Sequence, residues 1–224
     1  MMMNLFSNFD PMSTSLNLSM NWLSSILWMF FFPLLIWSIP SRYYLLKMLI
    51  YKYILQEIKP LINEKKNSFM PLIFICLFTF ILINNILSLF PFIFTSTSHL
   101  TFSLSLALPI WLTFMYYNLT NFFTFTCAHM LPMNTPLLLM PFMVIIETIS
   151  AFIRPITLSI RLSANMISGH LLLTLLGMAS SSFFMSNLMI FCQFILLILE
   201  ISVSFIQAYV FAMLMSLYFK ETIN

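Results

Sequence analysis

Four charged residues interrupt a long apolar part of this sequence. Between residues 67 and 219 the Asp, Glu, Lys and Arg side chains are Glu147, Arg154, Arg161 and Glu200. A charge at the centre of a bilayer costs roughly 2.5–3.5 kcal/mol on insertion scales. Four of them would cost on the order of 10 kcal/mol, which is comparable with the stability of a whole domain. Such a cost indicates that these residues have a function.

The spacing of these residues predicts two polar helix faces. Glu147, Arg154 and Arg161 are seven residues apart and therefore lie on nearly the same side of a helix. The residues Ser150, Thr157, Asn165 and Ser168 extend this face. A second set spaced by seven is Ser186, Gln193, Glu200 and Gln207, with Ser204 beside it. His170 follows Arg161 by nine residues, about 180° around the helix, so it faces the other way.

These side chains could move protons across a membrane. Carboxyl and imidazole groups that line a path through a membrane are typical of proton relays, because both can take up and release a proton. Arginine stays protonated, so Arg161 could attract a carboxylate and block proton passage between two regions. The alternative is that Glu147 pairs with Arg154, and Glu200 with Arg161, only to neutralise charge. Apolar residues would serve that purpose better, since buried ion pairs seldom stabilise a protein relative to them.

Composition requires a lipid environment for the helices that carry these residues. Of 224 residues, 61% are hydrophobic and 7% are charged, whereas soluble domains carry roughly 25% charged residues. We therefore expect a single all-α membrane domain in contact with lipid, and no nucleic-acid partner. No motif for a nucleotide, a metal or another cofactor is visible, so a proton is the ion we expect to be transported. Asp10, near the N-terminus, is expected to be solvated.

The apolar runs predict about five membrane helices. They cover Trp22–Ile39, Met70–Phe90, Leu100–Leu119, Leu137–Met178 and Phe183–Tyr218. The last two would be roughly 60 Å and 50 Å long, against a hydrocarbon core of about 30 Å. We therefore expect them to tilt strongly as an antiparallel hairpin. Pro155 within the first of them predicts either a bend around a neighbour or a packing kink.

The basic residues predict an orientation. Six of the nine lie between the first two spans: Arg42, Lys47, Lys52, Lys59, Lys65 and Lys66. The positive-inside rule places this loop on the inner side, so five crossings leave the N-terminus outside and the C-terminus inside. Apolar residues at helical spacing predict an amphipathic surface helix within residues 42–66, and a solvated connecting helix remains open. The predicted organisation is an N-terminal segment and first span (1–41), this helix (42–66), two spans (67–120) and the long hairpin (137–219).

Sequence bias favours an organelle gene. The chain has 19 Met, 26 Phe and 2 Gly, and no Lys or Arg precedes Arg42. The lack of a basic targeting segment fits synthesis in a bacterium or in an organelle with its own ribosomes, and the AT-rich coding bias favours a mitochondrial genome.

Several stretches of this sequence resemble one family. The segment PFMVIIETISAFIRPITLSIRLSANMISGHLLLTLLG (Pro141–Gly177) closely resembles subunit a of mitochondrial F-type ATP synthases, and further matches are LEISVSFIQAYVF (Leu199–Phe211), LFPFIFTSTSHL (Leu89–Leu100) and NLFSNFDP (Asn4–Pro11). The resemblance implies a non-catalytic proton-channel subunit of the mitochondrial inner membrane. It also implies a c-subunit rotor ring, a peripheral-stalk b subunit and other small membrane-sector subunits as partners.

The resemblance also implies roles for single residues. Arg161 corresponds to the family's essential arginine, which would meet a carboxylate of the rotor ring and separate two half-channels. The half-channel residues implied are Glu147 on the inner side, His170, Glu200 and Gln207 on the outer side, and Asn165 near the arginine. Supporting roles are open to Arg154, Ser168 and Ser204, although the family differs in charge at the position of Arg154. The alternatives are a proton-coupled secondary transporter and a membrane-arm subunit of a respiratory complex. The first is disfavoured because the chain shows no internal repeat.

Overall fold

The protein is helical throughout the part that the structure covers. The computed structural model describes residues 6, 9–12, 18–31, 41–60, 62, 70–90, 93–131, 136, 139–178 and 183–223. A 3₁₀ helix at Met20–Phe31 precedes six α-helices, and a short 3₁₀ turn at Ser96–Ser98 precedes the third of these. The α-helices are α1 (Arg42–Ile58), α2 (Met70–Ser88), α3 (Leu100–Asn121), α4 (Phe123–His129), α5 (Met140–Met178) and α6 (Phe183–Ile223). The all-α class predicted from sequence is confirmed.

Four of the described helices, α2, α3, α5 and the stretch Asn187–Glu221 of α6, are long and apolar enough to cross a membrane. They correspond to the last four predicted spans. Of the predicted first span, Trp22–Ile39, the structure describes the part up to Phe31, and that part is a 3₁₀ helix rather than an α-helix. Residues 32–40 lie outside the described residues. The helices α5 and α6 contain 39 and 41 residues, so each is about 60 Å long.

The two long helices are continuous. The helix α5 continues through Pro155, whose side chain is buried. The helix α6 runs beyond the predicted end at Tyr218 and includes Lys220 and Glu221. A cation in the last turn interacts favourably with the partial negative charge of a helix C-terminus, so Lys220 is well placed there.

The main core lies where α2 and α6 meet, and it includes residues of α1, α3 and α5. Aromatic side chains fill its centre: the ring of Phe74 lies 6.0 Å from that of Phe219 and 6.3 Å from that of Phe114. Small residues of α6, Ala208 and Ala212, are buried in the same cluster. Small side chains let membrane helices approach closely, and this packing holds α6 at a fixed place against α2.

The predicted amphipathic helix forms, but its apolar residues have two environments. Ser41 caps the start of α1 by accepting a hydrogen bond from the backbone N–H of Tyr44. At the other end Ile58 and Ile62 are buried in the core, and the Tyr209 hydroxyl donates to Glu57 Oε2 over 2.7 Å. Large apolar side chains nearer its start, such as Leu46 and Leu49, are more than half exposed. The C-terminal part of α1 is therefore anchored to the membrane helices, while its N-terminal part leaves an apolar face uncovered.

Candidate functional site between the two long helices

The helices α5 and α6 pack in opposite directions, and the contacts between them fix their register. The side-chain amide of Gln207 donates to the backbone oxygen of Arg161 over 3.1 Å. Further along α5, Gly169 faces Glu200, and Gly177 faces Gln193. As residue numbers rise along α5, the facing numbers on α6 fall. The two polar faces that the sequence predicts are thereby partly brought together.

Glu200 is a carboxylate enclosed by protein. Both carboxyl oxygens are buried, and within the described residues neither has a hydrogen-bond partner. The carboxyl group lies against Gly169: a Cβ atom on Gly169 would be 2.8 Å from Glu200 Oε1 and 3.2 Å from its Cγ. The absence of a side chain at Gly169 thus provides the space that Glu200 occupies.

Glu200 is also one of the residues that line a cavity of about 270 Å³. Its polar lining consists of Asn165, Ser168, Glu200, Ser204 and Gln207, all of which were predicted site residues. The hydroxyls of Ser168 and Ser204 donate to carbonyls of their own helices, Asn165 O and Ile201 O. Each hydroxyl still has oxygen lone pairs that can accept a further bond. The cavity is large enough for several water molecules, given that one water occupies about 30 Å³ of the liquid.

Arg161 lies outside this cavity, on an exposed face of α5. Its exposed neighbours on that face are short side chains: Thr157, Ala164, Asn165 and Ser168. Within the described part of the chain, no carboxylate forms a salt bridge with its guanidinium. The alternative pairing of Arg161 with Glu200 is therefore not found. Asn165 belongs both to this face and to the lining of the cavity.

His170 lines a different and larger cavity, of about 840 Å³. The imidazole Nε2 atom is buried and has no partner within the described residues. The other polar residues of the lining come from several elements: Asp10, Asn21, Ser24, Thr95, Thr174 and Gln193. The prediction that His170 faces away from Arg161 agrees with this placement.

Glu147 lies far along α5 from both cavities and forms an ion pair. Arg154 Nη2 is 3.8 Å from Glu147 Oε1, and Arg154 Nη1 is 2.9 Å from Glu221 Oε2. The same guanidinium lies over the ring of Tyr218 at 5.7 Å. These side chains are between one third and two thirds exposed, so the ion pairs add little stability. The alternative pairing of Glu147 with Arg154 is thus present, and the Glu147 side chain remains about half exposed.

Comparison with known proteins decides the family. The sequence profile described as "ATP synthase A chain" matches residues 3–220. Similar proteins include "ATP synthase subunit a" of Anopheles gambiae, 50% identical over 224 residues, and that of Drosophila yakuba, 52% identical over 223 residues. "ATP synthase subunit a" of Aedes aegypti is 49% identical over 224 residues. Each alignment covers 99% of both chains.

The chain belongs to the ATP synthase A chain family. It is a multi-pass protein of the membrane sector of F-type ATP synthase, and its family functions in proton transport and ATP synthesis. The resemblance that the sequence motifs indicated is confirmed over nearly the whole chain.

Within this ATP synthase A chain, some polar residues of interest escaped the sequence analysis. Asn84 and Asn85 are buried in α2, and amide atoms of both have no partner within the described residues. The sequence analysis considered mainly charged residues, and these two are uncharged. Two adjacent amide side chains inside an apolar helix are the sequence signal that would identify them. Asp10 was expected to be solvated, and it is exposed, but it also lines the larger cavity. Glu221 was not singled out because its partner, Arg154, is 67 residues away.

Among the described residues, no group of three or more His, Cys, Asp or Glu side chains could hold a metal ion.

Proposed function

We propose that this chain is the stator subunit that conducts protons to and from a rotor ring of c subunits, with Arg161 as the gate between two half-channels. The observation that carries the proposal is the contrast between two charges on one pair of helices. Glu200 is enclosed between α5 and α6 beside a cavity. Arg161 is exposed on a face of short side chains and has no salt bridge within the described residues.

The exposed arginine calls for a partner from another subunit. A charged side chain facing lipid near the bilayer centre costs roughly 2.5–3.5 kcal/mol or more, and a carboxylate on an adjacent helix would offset that cost. The short side chains Thr157, Ala164 and Ser168 allow another helix to approach closely. A ring of c subunits, each with a carboxylate at the middle of the membrane, has the required chemistry.

We assign the titratable groups to two half-channels. His170 in the larger cavity and Glu200 in the smaller one would form the outer half-channel, with Gln207 and Asn165 leading towards the exposed face. Ser168 and Ser204 supply hydroxyls to the smaller cavity.

The inner half-channel would contain Glu147, which is about half exposed and lies towards the other end of α5. Arg154 would have a supporting role there.

Arg161 separates the two paths because a guanidinium cannot release its proton under ordinary conditions. A proton would pass through the outer half-channel, neutralise a ring carboxylate, travel around the ring and leave on the inner side. Arg161 would attract the deprotonated carboxylate and prevent a direct leak. The membrane potential supplies about 2.3 kcal/mol per proton per 100 mV.

The chain would itself be non-catalytic, because ATP chemistry belongs to the peripheral head of the complex. Its other partners would be the peripheral-stalk b subunit and further small membrane-sector subunits. Its location would be the mitochondrial inner membrane, with the N-terminus towards the intermembrane space and the C-terminus towards the matrix.

The decisive experiment measures proton flux through the assembled enzyme in sealed vesicles after Arg161→Ala. Driven pumping should stop, because the gate is gone, while passive proton leak through the membrane sector persists or rises. Arg42→Gln is the control: it removes an exposed arginine of α1 that lines neither cavity, and it should leave both fluxes intact. If Arg161→Ala abolishes driven and passive flux together in an intact complex, Arg161 conducts rather than gates, and the proposal is wrong.

A further inference from the structure

The N-terminal stretch Phe9–Met12 lies against the larger cavity. The ring of Phe9 meets the ring of His170 edge to face, with the ring centroids 6.3 Å apart. The next residue, Asp10, is exposed and lines the same cavity. A segment distant in sequence therefore brings a carboxylate to the cavity that holds His170.

A second element holds this stretch in place. The side-chain amide of Asn21, in the 3₁₀ helix, donates to the backbone oxygen of Asp10 over 3.0 Å, and its contact with the backbone oxygen of Met12 is 3.5 Å. Both contacts use backbone oxygens. They position Asp10 without engaging its carboxylate, which remains available to water and ions.

Asp10 supplies the only carboxylate in the described lining of this cavity, and His170 of α5 is the only other titratable group there. The other polar residues of the lining are Asn21 and Ser24 of the 3₁₀ helix, Thr95 before α3, Thr174 of α5 and Gln193 of α6. These side chains carry no charge. A single negative charge between apolar walls focuses the electric field and raises the local concentration of cations.

We propose that Asp10 is the proton-collecting carboxylate of this cavity. It attracts protons from the outer solution to the mouth of the cavity, binds one transiently on a carboxylate oxygen, and releases it to cavity water that leads to His170. No proton is gained or lost overall, because each one taken from solution is passed on. This role rests on the proposed function and on the outward orientation of the N-terminal side.

The test uses complete ATP synthase in sealed vesicles whose interior faces the N-terminal side of this chain. ATP synthesis is measured at a fixed membrane potential while the interior pH is varied. With Asp10→Asn the rate should fall several-fold when interior protons are scarce and match the unaltered enzyme when they are abundant. Asp10→Glu keeps the charge and should restore the rate. The difference should shrink in about 1 M salt, where the Debye length falls to about 3 Å from about 10 Å at 0.1 M.

Two outcomes would overturn this role. Equal rates for Asp10→Asn and the unaltered enzyme at every interior pH would show that the carboxylate collects nothing. A loss of the same size at all pH values, which Asp10→Glu does not repair, would show a structural role for the side chain. Arg161→Ala in the same vesicles separates this question from the proposed function: if it stops driven synthesis while Asp10→Asn changes nothing, the function stands and the collecting role fails.

Discussion

At the scale of single residues, the charged side chains Glu200 and Arg161 have opposite environments within the same pair of helices. Glu200 is enclosed by α5 and α6, and space for it depends on the missing side chain of Gly169. Arg161 remains exposed with its backbone oxygen bonded to Gln207. Burial of a carboxylate without hydrogen bonds is costly, and the proposed proton path through the adjacent cavity would give that cost a function. An exposed guanidinium in a membrane helix is better suited to a partner chain.

Gly169→Ala tests how closely the position of Glu200 is controlled. The new Cβ would lie 2.8 Å from Glu200 Oε1 and 3.2 Å from Cγ, so the carboxyl group must move away from α5. We expect driven proton flux to fall several-fold while the complex still assembles. The combination with Glu200→Asp, which shortens the side chain, should recover part of that loss.

Gly177→Ala is the matched control for this change. A Cβ there would lie 3.5 Å from Gln193 Nε2, an ordinary contact distance, so proton flux should stay near that of the unaltered enzyme. The measurement is proton uptake into vesicles, normalised to the amount of assembled complex. If the two alanine variants behave alike, close packing of Gly169 against Glu200 does not control the path.

At the scale of elements, the sequence predicted what depends on local patterns. Apolar run lengths gave the extents of α2, α3, α5 and α6 closely, because each membrane helix satisfies its own backbone hydrogen bonds. The seven-residue spacing also predicted that Glu200 and Gln207 share one face of α6, with Ser204 beside them, and all three line the smaller cavity. The sequence did not predict that one end of α1 is buried and the other exposed. Apolar residues at helical spacing are found both where a helix packs against protein and where it contacts lipid. The burial of Ile58 in the main core, a result of long-range packing, distinguishes the two parts.

Ile58→Ala tests the anchor of α1. Ile58 is fully buried, and truncating a buried Ile to Ala typically costs about 2–5 kcal/mol. We expect α1 to detach more easily, which limited proteolysis of the assembled membrane sector would detect as faster cleavage near Lys52 and Lys59.

Ile50→Ala removes the same atoms from a side chain that is 45% exposed on the same helix, and it should change the cleavage rate little. Equal acceleration in both variants would mean that lipid contact along α1, rather than its buried end, holds the helix in place.

At the scale of the whole molecule, charge and topology agree. Between α1 and the end of α6 lie four helices that are long and apolar enough to cross a membrane once each, and four crossings would place these two parts on the same side. Both carry basic residues, among them Lys52 in α1 and Lys220 in the last turn of α6. Sequence alone could not place Asp10 beside His170 or Glu221 beside Arg154, because such contacts arise only when distant segments pack. The first of these contacts brings a carboxylate to the larger cavity, and the second forms an ion pair between α5 and α6.

The orientation of the chain is the last prediction, and the larger cavity depends on it. Single cysteines would replace Asp10, Lys52 or Glu221 in a chain without Cys76, Cys127 and Cys192. A membrane-impermeant thiol reagent should label the Lys52 and Glu221 positions from the side of the catalytic head and the Asp10 position from the opposite side, since a first span before α1 adds a fifth crossing. Labelling of Lys52 and Glu221 from different sides would contradict the four crossings of α2, α3, α5 and α6. Labelling of all three from the head side would mean that no span precedes α1, and the cavity with Asp10 and His170 would then open inwards and could not receive protons from outside.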